Sequence, residues 1–136
     1  MDGKTILLHH EQGYGDLIQF ARYATLAAQR GARVLLAALP RLADVLKTID
    51  GVSEVLVTGA ELPAFDLHCP VMSLPLAFGT RVETIPAWPR YVHADPVRVR
   101  QWEQRLGPKT KPRVGIVWSG NAGHKNDFRQ IGRAHV

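Results

Sequence analysis

The sequence has little of what marks several large classes of protein. Its 136 residues include one cysteine, Cys69, and 7% aromatic residues, with no internal repeat and no low-complexity run. A single cysteine excludes an internal disulfide, and this one has no CxxC partner. No apolar run reaches the roughly 18 residues of a membrane span. The N-terminus does not have the pattern of a signal peptide, because its apolar run is interrupted by polar residues at Lys4 and at 9–11 (HHE). We therefore predict a cytoplasmic protein without a transmembrane segment.

Metal binding and nucleic-acid binding are also disfavoured. The histidines and the cysteine match no ligand spacing of a known metal site, so no metal is expected. The formal net charge of +5 is uneven, because residues 1–89 carry 7 Lys and Arg against 9 Asp and Glu, and residues 90–136 carry 10 against 3. This basic surplus lies on a predicted helix and linker, for which we expect no interleaved exposed aromatic residues and find no motif. It indicates a solvated surface and no nucleic-acid partner.

What the sequence does contain is an alternation of apolar strands and amphipathic helices joined by short links. The predicted elements are strands at residues 5–9, 33–38 and 52–57, a candidate strand at 65–68, and helices over residues 17–30, 40–49 and 73–78. This order predicts an α/β fold with a Rossmann-like parallel sheet and right-handed crossovers.

The length allows one ordinary domain and little more. Residues 1–107 are predicted to form that domain, which ends in irregular chain over 84–96 and a helix over 96–106. Residues 108–112 (PKTKP) are polar and proline-rich, as is typical of a linker. The apolar run at 113–118 predicts a new strand that opens a second domain.

The loop after the first predicted strand carries the most informative side chains. Parallel α/β sheets bind ligands at the carboxyl ends of their strands, and the amides at the start of the following helix attract anions. Asp16 has two open interpretations, the N-cap of that helix or a general base that takes the proton of an attacking hydroxyl. In the second, Glu11 and Gln12 orient the carboxylate, and the glycines leave room for the hydroxyl. The candidate substrate-binding residues of this loop are Glu11, Gln12, Gly13, Tyr14 and Gly15.

The same loop carries only half of a dinucleotide-binding fingerprint. Ile18 stands where the third glycine is expected, and the second strand ends without the acidic residue that would bind a ribose. NAD binding is therefore disfavoured.

A second loop, residues 119–127, follows the predicted strand at 113–118. It combines backbone donors with a hydroxyl, an amide and a cation, which are the groups that hold a diphosphate without a metal. Its spacing is not that of a nucleoside-triphosphate P-loop, and a solvated turn with a surface lysine stays the alternative. The candidate substrate-binding residues of this loop are Ser119, Gly120, Asn121 and Lys125.

Three blocks of the sequence resemble a known family. They are residues 9–23 (HHEQGYGDLIQFARY), residues 65–80 (FDLHCPVMSLPLAFGT), and residues 114–121 (VGIVWSGN) with 124–127 (HKND). In this order they resemble the glycosyltransferase-like region of bacterial tetratricopeptide-repeat proteins and, more distantly, the lipopolysaccharide heptosyltransferases. The resemblance implies a GT-B fold, in which residues 1–107 are the Rossmann-like acceptor-side domain and residues 113–130 begin a nucleotide-sugar-binding domain.

The resemblance also implies a reaction. Asp16 matches the aspartate proposed as the catalytic base of heptosyltransferases, and Lys125 roughly matches a lysine near the donor phosphates. The implied reaction is the metal-independent, inverting transfer of a sugar from a nucleotide-diphosphate donor to a hydroxyl of a glycan, a lipid-linked sugar or a protein. No cofactor is implied, since the nucleotide sugar is a substrate. Upstream tetratricopeptide repeats would imply a partner protein.

The sequence departs from the family at both ends. No tetratricopeptide repeats precede the first block, and most of the donor-side domain expected after Asp127 is missing. Residues 131–136 (IGRAHV) resemble one reading frame of a common sequencing adapter, so we expect this tail not to be native sequence. We therefore expect a glycosyltransferase fragment that is inactive alone, because the transition state forms between two domains. The alternative is a noncatalytic Rossmann-like binding or scaffolding module of a tetratricopeptide-repeat protein.

Overall fold

A parallel sheet forms the centre of the first 100 residues. The computed structural model describes residues 1–11, 13–88 and 90–116, and within them the sheet consists of β1 (Thr5–His9), β2 (Arg33–Ala38), β3 (Val52–Val57) and β4 (Leu67–Pro70). The strand order is β3-β2-β1-β4, and each strand runs parallel to its neighbours. With helices after β1 and β2, this is a Rossmann-like α/β fold. The predicted α/β class with a Rossmann-like parallel sheet is confirmed.

The strands form where short apolar runs can be buried on both faces of the sheet. The leucine pairs at residues 7–8 of β1 and 35–36 of β2 are buried, as is typical of central parallel strands. The observed bounds of β1, β2 and β3 are the predicted ones. Strand β4 lies two residues later than the predicted 65–68, because its pairing with β1 begins at Leu67, opposite Ile6.

Two helices follow β1 where one was predicted. Helix α1 spans Tyr14–Ala21 and helix α2 spans Tyr23–Gln29, with one residue between them. The helical segment begins three residues before the predicted start at Leu17, because the amide of Leu17 already donates a hydrogen bond to the carbonyl of Gly13. Gly31, at φ +81°, follows α2 in the left-handed conformation expected at a helix C-terminus.

The later connections are shorter and less regular. They contain 3-10 turns at Pro40–Leu42, Val71–Ser73 and Val82–Thr84, and the short helices α3 (Ala43–Leu46) and α4 (Leu74–Ala77). Helices were predicted over residues 40–49 and 73–78, and both segments contain only about one α-helical turn. Pro40 and Pro75 lie in first turns, where a missing amide breaks no helical hydrogen bond.

Most of the hydrophobic core lies on one face of the sheet. There α1 and α2 pack against alternate residues of β1 and β2, and α3 and α4 extend the cluster. The fully buried members of this cluster are Leu8, Leu17, Ala21, Ala24, Ala27, Val34, Leu36, Ala38 and Leu46. Leu7, Leu35 and Leu56 form a smaller cluster on the opposite face. The first turn of α1 is thereby held next to the end of β1.

Helix α5, Pro96–Leu106, has the predicted bounds. At 11 residues it is the longest helix in the described ranges, and none of the helices there is long and apolar enough to cross a membrane. The chain divides into two compact units, Met1–Arg100 and a second that begins at Gln101, so the division lies inside α5.

The strand predicted over residues 113–118 is not formed over residues 113–116. In the described part of the chain these residues pair with no strand, and Val114 and Ile116 are 83% and 71% exposed. An apolar run forms a stable strand only where a neighbouring strand supplies hydrogen bonds. Residues 117–118 lie outside the described residues.

One carboxylate ties the start of β4 to the start of β1. Asp66 accepts a hydrogen bond from the backbone amide of Thr5 at 2.8 Å and pairs with Lys4 at 2.9 Å. The backbone amide of Asp66 donates to the carbonyl of Thr5 at 2.9 Å. The hydrogen bond from Thr5, and then the one from Lys4, hold the pKa of Asp66 below its ordinary value.

Replacing this carboxylate should change how stability depends on pH. Because the pKa of Asp66 is lower in the folded chain than in the unfolded chain, the carboxylate stabilises the fold above its ordinary pKa and loses that effect as the pH falls through its folded pKa. We expect urea unfolding to find Asp66→Asn less stable than the wild type at pH 7, with the difference closing below about pH 4. Asp50→Asn, at an exposed residue, is the control. A difference at Asp66 that does not vary with pH would contradict this account.

The turn before β3 requires glycine. Gly51 has φ +91°, and a Cβ atom there would lie 2.6 Å from the Cβ of Ala28 in α2. Thr25 of the same helix donates from its hydroxyl to the carbonyl of Asp50 at 2.7 Å, so the turn is held close to α2.

We expect Gly51→Ala to lower the free energy of unfolding by about 2–5 kcal/mol, from backbone strain of about 1–2 kcal/mol and overpacking of about 1–3 kcal/mol. The matched control is Gly59→Ala, since Gly59 has φ +95° and no atom within 4 Å of an added Cβ. Denaturant unfolding of both variants separates the two effects. Equal losses in the two variants would show that the contact with Ala28 adds nothing to the strain.

Candidate functional site

The loop predicted to carry the site leaves the sheet where the strand order reverses. Strands β2 and β3 extend the sheet on one side of β1, and β4 lies on the other. In open parallel sheets, ligands bind in the crevice at this reversal, outside the carboxyl ends of the strands. His9, the last residue of β1, pairs with Pro70, the last residue of β4. The chain segments that leave these two strands therefore begin side by side.

Asp16 lies in the first turn of α1 and is not its N-cap. The N-cap is Gly13, in an extended conformation, and no side chain makes a capping hydrogen bond there. The N-cap interpretation of Asp16 is therefore wrong, because the helix begins at Tyr14 and places Asp16 inside it. Its negative charge still interacts favourably with the helix dipole.

The carboxylate of Asp16 has no other group bound to it in the described part of the chain: it accepts no hydrogen bond and forms no ion pair there. Its Oδ2 lies 4.0 Å from the position that a Cβ on Gly13 would occupy, so it is directed back along the loop towards Gly13. A half-buried carboxylate in this position is available to a ligand at the carboxyl edge. The general-base interpretation of Asp16 stays a prediction.

Glu11 interacts with β4 and makes no hydrogen bond to Asp16. Burial raises the pKa of the Cys69 thiol in β4, and the negative charge of Glu11 raises it further. Glu11 follows the last residue of β1 by two positions, and that residue, His9, pairs with Pro70, so Glu11 lies near the carboxyl end of β4. The orienting role predicted for Glu11 therefore has no supporting hydrogen bond among the described residues, and it stays a prediction.

A cavity of about 740 Å³ lies beside α1, within the first compact unit. Its walls come from α1 and the residue that follows it, from α2 and α4, and from the segment 80–91. The lining residues are Gly15, Ile18, Gln19, Phe20, Arg22, Tyr23, Pro75, Thr80, Arg81, Val82, Ile85 and Tyr91. The volume is in the range of small-molecule sites, about 300–1,000 Å³. Gly15 is the residue directly before Asp16, so the cavity extends to the start of α1 beside the candidate base.

Two long-range hydrogen bonds hold the segment 80–91 against the helices. The hydroxyl of Tyr91 donates to the carbonyl of Ile18 at 2.9 Å, and Nη1 of Arg22 donates to the carbonyl of Pro86 at 2.9 Å. The guanidinium of Arg22 also stacks over the ring of Tyr91, with 4.7 Å between its central carbon and the ring centroid. One wall of the cavity is fixed by these contacts.

Sequence reasoning missed this wall. It predicted irregular chain over residues 84–96, which the structure confirms over the described residues 85–88 and 90–95, but it assigned the segment no role. The available signal was Ile85 and Tyr91, two large side chains in a proline-rich stretch without periodicity, which indicates packing against another element.

A smaller cavity of about 230 Å³ lies at the carboxyl ends of β1, β2 and β3. His9 and His10 line it, and Nε2 of His10 lies 3.3 Å from the hydroxyl oxygen of Thr58. The ring centroids of His9 and His68 are 5.7 Å apart. Within residues 1–11, 13–88 and 90–116, no three His, Cys, Asp or Glu side chains are grouped so that they could hold a metal ion.

Of the remaining predicted site residues, one lies in the described part of the chain and the others lie outside it. Tyr14 opens α1 and is 46% exposed at the surface. Outside the described residues lie Gln12, Ser119, Gly120, Asn121 and Lys125. The structure therefore positions the predicted acceptor-side residues apart from Gln12, and the predicted diphosphate loop stays a prediction.

Comparison with known proteins adds no family to this description. The chain matches no protein-family model, no curated protein and no solved structure. The likeness of the three sequence blocks to glycosyltransferase-like proteins therefore stays a resemblance, and the functional proposal depends on the geometry of the carboxyl edge.

The single cysteine provides a test of the loop geometry. Because burial and then the charge of Glu11 raise the pKa of Cys69, the thiolate is scarce at neutral pH and alkylation should be slow. We expect Glu11→Gln to lower the pKa of the thiol and to speed iodoacetamide labelling at pH 7.5, measured by mass spectrometry. Glu54→Gln in β3, which is separated from β4 by two strands, is the control and should label at the wild-type rate. Equal labelling of the wild type and Glu11→Gln would contradict the placement of Glu11 beside β4.

Proposed function

We propose that this chain is the acceptor-side part of a glycosyltransferase with a GT-B fold and that Asp16 is its general base. The observation that carries the proposal is the position of one carboxylate. Asp16 stands in the first turn of α1, at the reversal of strand order, without a partner in the described part of the chain. A base must reach the proton that it removes, and this carboxylate is not committed to another group.

In the proposed reaction, Asp16 accepts the proton of an acceptor hydroxyl. The hydroxyl oxygen then forms a bond to the anomeric carbon of the sugar, and the bond from that carbon to the diphosphate breaks. The electron pair of the broken bond leaves with the nucleotide diphosphate. Attack from the side opposite the leaving group inverts the configuration of the sugar.

The donor side of the proposal depends on the resemblance. Ser119, Asn121 and Lys125 are proposed to hold the diphosphate by hydrogen bonds and charge, which requires no metal ion. The donor is a nucleotide sugar and the acceptor is a hydroxyl of a glycan, a lipid-linked sugar or a protein. Because catalysis then needs two facing domains, we propose that residues 1–136 alone have no transferase activity.

The test is Asp16→Asn in a full-length parent protein that contains both halves. The substitution keeps the size of the side chain and removes the base. Loss of a general base typically costs about 10²–10⁴-fold in rate, so we expect kcat for sugar transfer to fall by at least about 100-fold. The free energy of unfolding should fall by no more than about 1 kcal/mol, the loss of the favourable interaction with the helix dipole, because the carboxylate has no other partner among the described residues.

The control for this test is Asp50→Asn, which removes the same charge from an exposed turn of the same domain. It should leave transfer unchanged. If Asp16→Asn transfers sugar as fast as the wild type, or if the parent neither transfers sugar nor hydrolyses any nucleotide sugar, the noncatalytic binding or scaffolding module is the better account.

A further inference from the structure

The large cavity beside α1 combines apolar side chains with cations and has no acidic residue in its lining. Its apolar lining consists of Ile18, Phe20, Pro75, Val82 and Ile85. Its cations are Arg22 and Arg81. The general-base proposal uses none of these side chains, so their arrangement calls for a separate explanation.

Arg22 is held in a fixed position with part of its guanidinium unused. Its Nε donates to the carbonyl of Gln19 and its Nη1 to the carbonyl of Pro86, both at 2.9 Å. Stacking on Tyr91 restrains the plane of the group. The third nitrogen, Nη2, makes no hydrogen bond within the described residues. A guanidinium oriented in this way loses little side-chain freedom when it binds an oxyanion.

Arg81 is the second cation, and it is exposed at the rim of the cavity. Neither Arg81 nor Arg22 has a carboxylate within ion-pair distance in residues 1–11, 13–88 and 90–116. Two cations at one cavity without a counter-charge there favour an anionic ligand.

The three hydroxyl groups of the cavity lining are already hydrogen-bonded, and the side-chain amide of Gln19 is the remaining neutral polar group. The hydroxyl of Tyr91 donates to the carbonyl of Ile18, and the hydroxyl of Tyr23 donates to Oγ1 of Thr80 at 3.0 Å. Few groups are then left for a ligand with many hydroxyls, because each buried hydroxyl needs a partner. The lining suits a hydrocarbon body with one charged head.

We propose that this cavity binds an anionic amphiphile, a small molecule with an apolar body and a phosphate or carboxylate head. The apolar body packs among Ile18, Phe20 and Ile85, and the head binds Nη2 of Arg22 and the guanidinium of Arg81. This binding goes beyond sugar transfer and does not depend on it.

The binding test uses the 136-residue chain and four small probes. Octyl phosphate has both the body and the head, octanoate replaces the phosphate by a carboxylate, octyl glucoside has the body without charge, and inorganic phosphate has the charge without the body. Each probe is titrated while the backbone amide signals are followed by NMR, and the three octyl compounds are kept below their micelle concentrations. We expect octyl phosphate or octanoate to shift amides of α1 and of residues 80–91 and to saturate. The tighter of these two identifies the head group, and octyl glucoside and inorganic phosphate should bind at least tenfold more weakly.

Matched arginine variants test the head-group contact. Arg81→Gln should weaken binding of the preferred amphiphile about three- to fivefold, as expected for one exposed charge contact. Arg41→Gln removes the same charge from an exposed residue outside the cavity and should bind as the wild type does. Arg22→Gln should weaken binding more than Arg81→Gln does, provided that its amide spectrum shows an intact fold.

Three results would overturn the proposal: both charged probes binding no more tightly than octyl glucoside, shifts confined to residues away from the cavity, or equal weakening by Arg41→Gln and Arg81→Gln. None of these results bears on sugar transfer by the parent protein. Conversely, a parent that transfers no sugar leaves this binding experiment valid. Failure of one proposal is therefore distinguishable from failure of the other.

Discussion

The parallel pairing of β1 with a strand on each side is the constraint on which the rest of the structure depends. Residues Thr5 to His9 pair with Arg33 to Ala37 of β2, and Ile6 to His9 pair with Leu67 to Pro70 of β4. The side chains of a strand alternate between its faces, so a slip of one residue would exchange the faces on which Leu7 and Leu8 of β1 are buried. The pairing therefore fixes both the core and the point at which the chain leaves the sheet. From that point the first turn of α1 follows within a few residues.

The central position of β1 also explains why two features lie near one another. Helix α1 has a buried side, with Leu17 and Ala21 against the sheet, and an outward side that lines the large cavity. Asp16 stands at the start of this helix, and Gly15 directly before it belongs to the cavity wall. One helix thus connects the proposed base to the proposed amphiphile site.

Much of the sheet could be predicted from the sequence, because its strands are apolar runs bounded by polar residues, glycine or proline. The bounds of β1, β2, β3 and α5 follow from that local pattern. The start of α1 could not be predicted, because residues 13–15 contain two glycines, which have low intrinsic helix propensity. Burial of Leu17 against the sheet overrides that propensity. The strand at 113–118 was predicted from apolarity alone, and over residues 113–116 it has no neighbouring strand among the described residues.

The candidate site was only partly predictable for a related reason. The position of Asp16 after the first strand is a local property, and parallel topology places it at the carboxyl edge. The cavity wall is a tertiary property, because the bond from Arg22 to Pro86 spans 64 residues and the bond from Tyr91 to Ile18 spans 73. No periodicity in residues 80–91 indicates where that segment packs. Long-range hydrogen bonds of this kind are visible only in the folded chain.

The most direct test of the central claim is a structure of the full-length parent protein with an acceptor and a nucleotide diphosphate bound. The measurement is the distance from the nearer carboxylate oxygen of Asp16 to the acceptor hydroxyl oxygen. The account predicts that this distance is within hydrogen-bond reach, about 2.6–3.2 Å, directly or through one water molecule. An acceptor hydroxyl that binds away from the first turn of α1, or that is held by a different base, would contradict it.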